Sequence, residues 1–153
     1  MSAVADRLAA LGLSVPPVAK PVAAYVPAVA HGGVVFTSGQ LPFVDGALVA
    51  MGKVGADVEP GEAHQLARVA ALNAIAAVGS VVDLDRVVQV LKVGVFVASA
   101  PGFTGQPAVA DGASDLLAAA FGSAGRHARS AVGVAELPLG SPVEIELQVA
   151  VRA

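Results

Sequence analysis

The chain has 153 residues, a length typical of one domain, and 56% of them are hydrophobic while only 14% are charged. This composition excludes intrinsic disorder, which needs low hydrophobicity and high net charge. A net charge of −3 with nine Lys and Arg residues argues against nucleic-acid binding, and the absence of Cys excludes disulfides and thiol chemistry.

The long apolar segments do not have the pattern of membrane spans. The longest segment without a charged residue, 21–44, is interrupted by prolines at positions 21, 27 and 42. A monomer of this size with so few charges would expose large apolar patches, so we expect a homo-oligomer. The first residues lack the basic-then-apolar order of a signal peptide, and we therefore expect a cytoplasmic protein with no membrane partner.

Hydrophobic periodicity and turn signals predict a short helix, a proline-rich arm and two hairpins in the first third of the chain. The hairpin turns are predicted at His31-Gly32-Gly33 and Asp45-Gly46. The predicted segments are the helix at 4–11, the extended arm at 14–21, strands at 25–30 and 34–38, and the second hairpin at 43–50.

The rest of the chain alternates helices and strands. Pro60 and Glu62 favour a helix start there, and Gly79 ends the predicted helix. The predicted order is a helix at 61–78, a strand at 86–98, a helix at 107–121, and strands at 130–137 and 143–151. This pattern indicates an α+β sandwich with its helices on one face of the sheet.

The last strand has one apolar and one charged face. A period of two places Val143, Ile145 and Leu147 on one side and Glu144 and Glu146 on the other. The apolar side belongs under the helices. The charged side then faces either water or a partner subunit.

The sequence lacks the motifs of several common functional sites. No phosphate loop or dinucleotide fingerprint is present. His31, His64 and His127 are scattered without metal-ligand spacing, so we predict no metal. Ser38 has no Gly-x-Ser-x-Gly surroundings and is more simply a structural residue at a strand end.

Arg129 and Glu144 can each be interpreted as a functional or as a structural residue. Arg129 lies on the small-residue side of its strand, where its planar guanidinium can hold a carboxylate. It can instead pair with Glu144 or Glu146 across a terminal hairpin, which would be purely structural. Glu144 is then either a general acid or base or a salt-bridge partner, and Tyr25 is either a half-buried anchor or a site hydroxyl.

Three segments carry a family resemblance: Val34 to Pro42, Arg129-Ser130, and Leu137-Pro138 through Glu146. With them, the chain from Tyr25 to Val151 resembles the Rid (YjgF-like) family of reactive-intermediate deaminases. Further similarities point to a sub-branch with an amino-terminal extension. We therefore divide the chain into a helix and arm at 1–22 and a single domain at 23–153.

The resemblance implies a chorismate-mutase-like α+β fold: a mixed sheet with two main helices on one face, assembled as a homotrimer. It also implies ligand sites between adjacent subunits. Deaminating members hydrolyse 2-imino or 2-enamino acids, such as 2-iminopropanoate and 2-iminobutanoate, to 2-keto acids and ammonia. They use no metal or cofactor, and their partner is a small-molecule carboxylate.

Family positions assign roles to five residues. Arg129 would bind the substrate carboxylate, and Glu144 would position the attacking water. The backbone N–H of Gly39 would assist binding, with Ser38 beside it, and Tyr25 would line the pocket.

Two positions of the implied binding site depart from the family pattern. Ser114 stands where deaminating members usually have Asn, and Ala131 stands where many relatives have Cys. Both changes affect the expected substrate more than the fold, because a hydroxyl offers fewer hydrogen bonds than an amide.

The departures favour an alternative from a different class, a non-catalytic or regulatory trimer that binds small carboxylates. The endoribonuclease name attached to part of the family fits poorly, since extended RNA contact needs a basic groove or stacking aromatics and the chain has only five Phe and one Tyr.

Overall fold

The computed structural model describes residues 2–21 and 23–153. Its helices are α1 (Ala3–Ala10), α2 (Pro60–Gly79) and α3 (Gln106–Phe121), with single turns of 3-10 helix between some elements. Its strands are β1 (Ala28–His31), β2 (Val34–Thr37), β3 (Phe43–Val44), β4 (Ala47–Leu48), β5 (Val87–Ala98), β6 (Ala128–Val134) and β7 (Val143–Val151).

Five strands form one mixed sheet in the order β1-β2-β7-β5-β6. Strands β5 and β6 run parallel, joined by α3, and all other neighbours in the sheet are antiparallel. Helices α2 and α3 pack against each other and cover one face, while β3 and β4 form a small separate hairpin. The predicted α+β sandwich with two main helices on one face is confirmed.

The two last strands do not form the terminal hairpin that the sequence suggested. Strand β5 lies between β6 and β7, and the turn at 138–141 joins strands that are not neighbours. Strand β6 ends at Val134, and β1 begins at Ala28, so Tyr25 precedes its strand. Strand β5 is paired along both edges, in parallel with β6 through the helical crossover and antiparallel with β7.

Small residues allow α2 and α3 to approach closely. A Cβ atom on Gly112 of α3 would lie 2.9 Å from the backbone carbonyl carbon of His64 on α2, and closer still to its oxygen. His64 Nδ1 also lies 2.9 Å from the carbonyl oxygen of Ala108 on α3. The glycine that weakens α3 as an isolated helix is therefore needed for its packing against α2, a helix with many buried alanines.

The first helix is anchored to the domain. Val4 and Leu8 are buried in the main core, and the carboxylate of Asp85 accepts hydrogen bonds from the N–H groups of Ala3 and Val4 and from Ser2 Oγ. The bond from Val4 is the main cause of an Asp85 pKa below its usual value. Asp85 thus holds the amino-terminal end of α1 against the domain.

The division of the chain at 22/23 remains a prediction, and two of its residues, Met1 and Val22, lie outside the described part. Residues 11–21 carry no helix or strand, in keeping with the predicted arm. No helix of the described residues is long and apolar enough to cross a membrane.

Candidate functional site

A bulge between β2 and β7 creates the first part of the site. Phe36 pairs with Gln148, and the next paired residues are Gln40 and Ile145. The segment that follows β2 therefore has one more residue between the two pairs than β7 has. Gly39 falls in this bulge. Within residues 2–21 and 23–153 its N–H has no acceptor, and it is therefore available to a ligand.

Ser38 fastens the bulge to the segment that carries Tyr25. Its N–H donates to the carbonyl of Pro27 at 2.8 Å, and its hydroxyl donates to the carbonyl of Val26 at 2.7 Å. The side chain of Ser38 is thus committed to a structural bond, while Tyr25 stands beside it with half of its surface exposed. Ser38 positions its neighbours, and Tyr25 and Gly39 line a groove together with Glu144.

Glu144 lies directly against the bulge. A Cβ atom on Gly39 would lie 2.7 Å from the carboxyl carbon of Glu144 and even nearer to Oε1, so only glycine leaves room for this carboxylate. Burial of the group, with a smaller contribution from the like charge of Glu146, raises the pKa of Glu144 above its usual value. A carboxylate of raised pKa is a better proton acceptor, which suits a general base.

A second polar cluster lies at the opposite edge of the sheet, between β6 and α3. One terminal nitrogen of Arg129 donates to Asp111 Oδ1 at 2.8 Å and to Ser114 Oγ at 3.2 Å. The side chain of Arg129 is 24% exposed. Its other N–H groups meet no acceptor in the described part of the chain, so one edge of the guanidinium is available to a carboxylate.

The contacts of the second cluster contradict one interpretation of the sequence and add Asp111 and His127 to the candidate site. Arg129 does not pair with Glu144 or Glu146, because β6 and β7 are not neighbours; its partner is Asp111 on α3. His127 Nε2 lies 2.9 Å from Ser114 Oγ, and His127 Nδ1 lies 2.6 Å from the carbonyl oxygen of Gly125.

The carbonyl beside Nδ1 requires a proton on that nitrogen, and Ser114 Oγ accepts from Arg129 while it shares a hydrogen bond with Nε2 of His127. Sequence reasoning missed this role because His127 has no ligand spacing; its place two residues before Arg129 was the only signal. Ala131 lies on the same face of β6 as Arg129 and packs at the edge of the core.

One chain does not bring the two clusters together. Arg129 aligns with the buried Val93 of β5 and faces the helices, whereas Glu144 aligns with Phe96 and faces the open side of the sheet. Strand β5 lies between their two strands, so these strands are roughly 10 Å apart in the sheet. The two side chains are farther apart still, because they project from opposite faces. Each cluster is thus half of the predicted site.

Comparisons with known proteins agree with this architecture, a mixed five-stranded sheet under two helices. A family model described as "YjgF/chorismate_mutase-like, putative endoribonuclease" matches residues 5–149. The chain therefore belongs to the YjgF/chorismate-mutase-like family.

Three similar proteins illustrate the range of the family. Protein TCP17 of Trypanosoma cruzi is 45% identical over 145 residues, which cover 94% of this chain and 91% of that protein. The crystal structure of Atu1372 from Agrobacterium tumefaciens, a protein of unknown function, is 39% identical, has a TM-score of 0.92, and covers 98% of this chain and 93% of its own. TdcF of E. coli, solved with bound serine, is 27% identical with a TM-score of 0.65, covering 91% and 94%.

Proposed function

We propose that the protein is a homotrimeric hydrolase of 2-imino and 2-enamino acids. Water adds to the carbon of the C=N bond, the tetrahedral adduct loses ammonia, and a 2-keto acid remains. The imine is already electrophilic, so the protein has only to hold the acid and deliver a water molecule.

The observation that carries this proposal is the division of the site into two complementary halves. Arg129 keeps one free guanidinium edge beyond its pair with Asp111, and Glu144 offers a base with no cation beside it in the described residues. A second copy of the chain that brings the Glu144 half against the Arg129 half would complete an anionic-substrate site. The exposed Val29, Phe36 and Val132 on the open face of the sheet supply apolar surface for such an assembly.

Each half has a defined task in this mechanism. Arg129 binds the substrate carboxylate through its free edge, and the N–H of Gly39 donates to the substrate from the other half. Glu144 accepts a proton from water as the oxygen bonds to the carbon of the protonated imine, and it then passes that proton to the amine nitrogen. Ammonia leaves as the hydroxyl of the adduct returns its proton to Glu144 and the C=O bond forms. Tyr25 closes the wall of the pocket.

Imine hydrolysis in a coupled assay tests the proposal. An amino-acid oxidase generates the imine, and semicarbazide traps whatever the protein has not hydrolysed. We expect wild type and Arg126→Ala to suppress the semicarbazone, whereas Arg129→Ala loses at least about a hundredfold in kcat/KM because the anchor is a charge-assisted pair. Arg126 is the matched control, an exposed arginine three residues away. Full activity of Arg129→Ala refutes its role.

Mixing two inactive variants tests the division between subunits. Arg129→Ala and Glu144→Gln each destroy a different half, so a site between one subunit of each kind can be intact. Random assembly after joint refolding should restore about a quarter of wild-type activity. No recovery, with mixed trimers confirmed by mass spectrometry, contradicts a site shared between chains.

One alternative has its own support. A carboxylate-binding trimer without catalysis fits the replacement of Asn by Ser114 and the serine bound to TdcF. Calorimetry with 2-oxobutanoate distinguishes it: binding that Arg129→Ala abolishes, in a protein that hydrolyses no imine, favours the alternative. The endoribonuclease named in the family description fits a chain of net charge −3 poorly.

A further inference from the structure

A large groove extends from the Glu144 half-site beneath the amino-terminal arm. We call it the arm groove: its walls are residues 13 and 16–21 of the arm, the turn of the small hairpin at 43–46, and the α2 side chains Val69 and Leu72. Its volume is about 980 Å³, at the upper end of the range for small-molecule sites. Tyr25 and Glu144 also belong to its lining.

The lining of the arm groove is mostly apolar. Hydrocarbon comes from prolines and aliphatic residues of the arm and from the facing Leu41, Phe43 and Leu72. The amide nitrogen of Asn73, the polar residue on the α2 side, donates to the carbonyls of Leu41 and Phe43 at 2.9 and 3.0 Å. Its donors are thereby used to hold the wall. The charged side chains of the lining are Lys20, Asp45 and Glu144, but apolar surface predominates, so the groove suits an occupant that is mostly apolar.

The proposed reaction directs one substituent of the substrate into this groove. The imine carbon must lie beside Glu144, which activates the water, and its carboxylate points away toward the partner's Arg129. The remaining carbon substituent is the amino-acid side chain. On this chain, the space that continues from Glu144 and Tyr25 is the arm groove.

We infer that the protein prefers 2-imino acids with bulky apolar side chains, such as those derived from leucine, over the small imines of alanine. This inference rests on the proposed function and adds the substrate class to it. Each buried methylene group contributes a factor of about four to binding in an apolar site. The leucine-derived imine should therefore exceed the alanine-derived imine in kcat/KM by at least about tenfold.

The test compares imines generated from alanine and from leucine, in wild type and in two tryptophan variants. Val44 lines the arm groove and is 47% exposed, so Val44→Trp fills the groove without disturbing the core. Val49, 51% exposed in the segment that follows the same hairpin, lies outside the groove and provides the control Val49→Trp. We expect Val44→Trp to lower the leucine-to-alanine ratio of kcat/KM at least about fivefold, and Val49→Trp to leave it unchanged.

A second measurement separates failure of this inference from failure of the proposed function. The keto acids of leucine and alanine are titrated into each protein by calorimetry, which requires no turnover. Tighter binding of the leucine keto acid, weakened by Val44→Trp alone, supports the arm groove even if no imine is hydrolysed. Equal or weaker binding of the leucine keto acid, or preference for the alanine imine in an active enzyme, overturns the inference.

Discussion

Substitution of Gly39 by Ala is a direct test of the Glu144 half-site. The new methyl carbon would lie 2.7 Å from the carboxyl carbon of Glu144, whereas two such carbons rest about 3.7 Å apart. The carboxylate must therefore retreat by about 1 Å. A displacement of that size at a group that positions a reactant costs about a hundredfold in rate. Because the retreating atoms are the flexible end of a glutamate, we expect little loss of stability.

The assay is hydrolysis of an imine, with thermal unfolding measured on the same samples. Gly94→Ala is the matched control, since its methyl carbon would lie 2.8 Å from Cγ of Glu146 on the same strand as Glu144. We expect Gly39→Ala to lose about a hundredfold in kcat/KM with an unfolding temperature close to wild type. Gly94→Ala should keep its activity as long as light scattering shows the same assembly. Activity of Gly39→Ala within threefold of wild type would refute the placement of the catalytic carboxylate.

Three further predictions concern charge and packing. Glu144→Gln should abolish turnover yet stabilise the protein. Because the folded-state pKa of Glu144 is raised, the gain in stability over wild type should grow as the pH rises from the unfolded-state pKa to the folded-state pKa. Urea unfolding at several pH values measures this gain. Gly112→Ala should lower the free energy of unfolding by about 2 kcal/mol, because its methyl meets the backbone of α2 rather than a movable side chain; an unchanged urea midpoint contradicts the close helix contact. Asp111→Asn should tighten 2-oxobutanoate binding about two- to fivefold at low salt, since it removes a carboxylate that competes for Arg129. Calorimetry measures the change, and weaker binding would show that Asp111 mainly orients the guanidinium.

The elements that carry strong local signals could be predicted from the sequence. Helix α2 has Pro in its first turn, an acidic residue beside it and an alanine-rich apolar pattern, and its predicted ends lie within a residue of the observed ones. The alternation in β7 correctly places Glu144 opposite the buried Ile145. Periodicity reports which face is buried, and burial is what fixes these elements.

Strand pairing and the partners of Arg129 could not be predicted in the same way. Sequence adjacency favoured a hairpin of the last two strands, but a parallel crossover through α3 pairs β6 with β5 instead. The residues that meet Arg129 are therefore Asp111 and Ser114, fifteen to eighteen positions earlier on a helix. Such contacts depend on how α3 lies across the sheet, and no local pattern encodes that.

The sparse charge of the chain and its divided site have one explanation in the proposed trimer. If one chain placed Glu144 against the free edge of Arg129, that edge would no longer be open to a substrate carboxylate, since Arg129 already donates to Asp111. Their positions on opposite faces of one sheet keep Glu144 and Arg129 apart within the folded chain. Their encounter is then left to assembly, where a bound acid occupies the cation and apolar contacts supply the energy of association. In this arrangement activity requires the oligomer, so dilution below its dissociation constant should remove turnover.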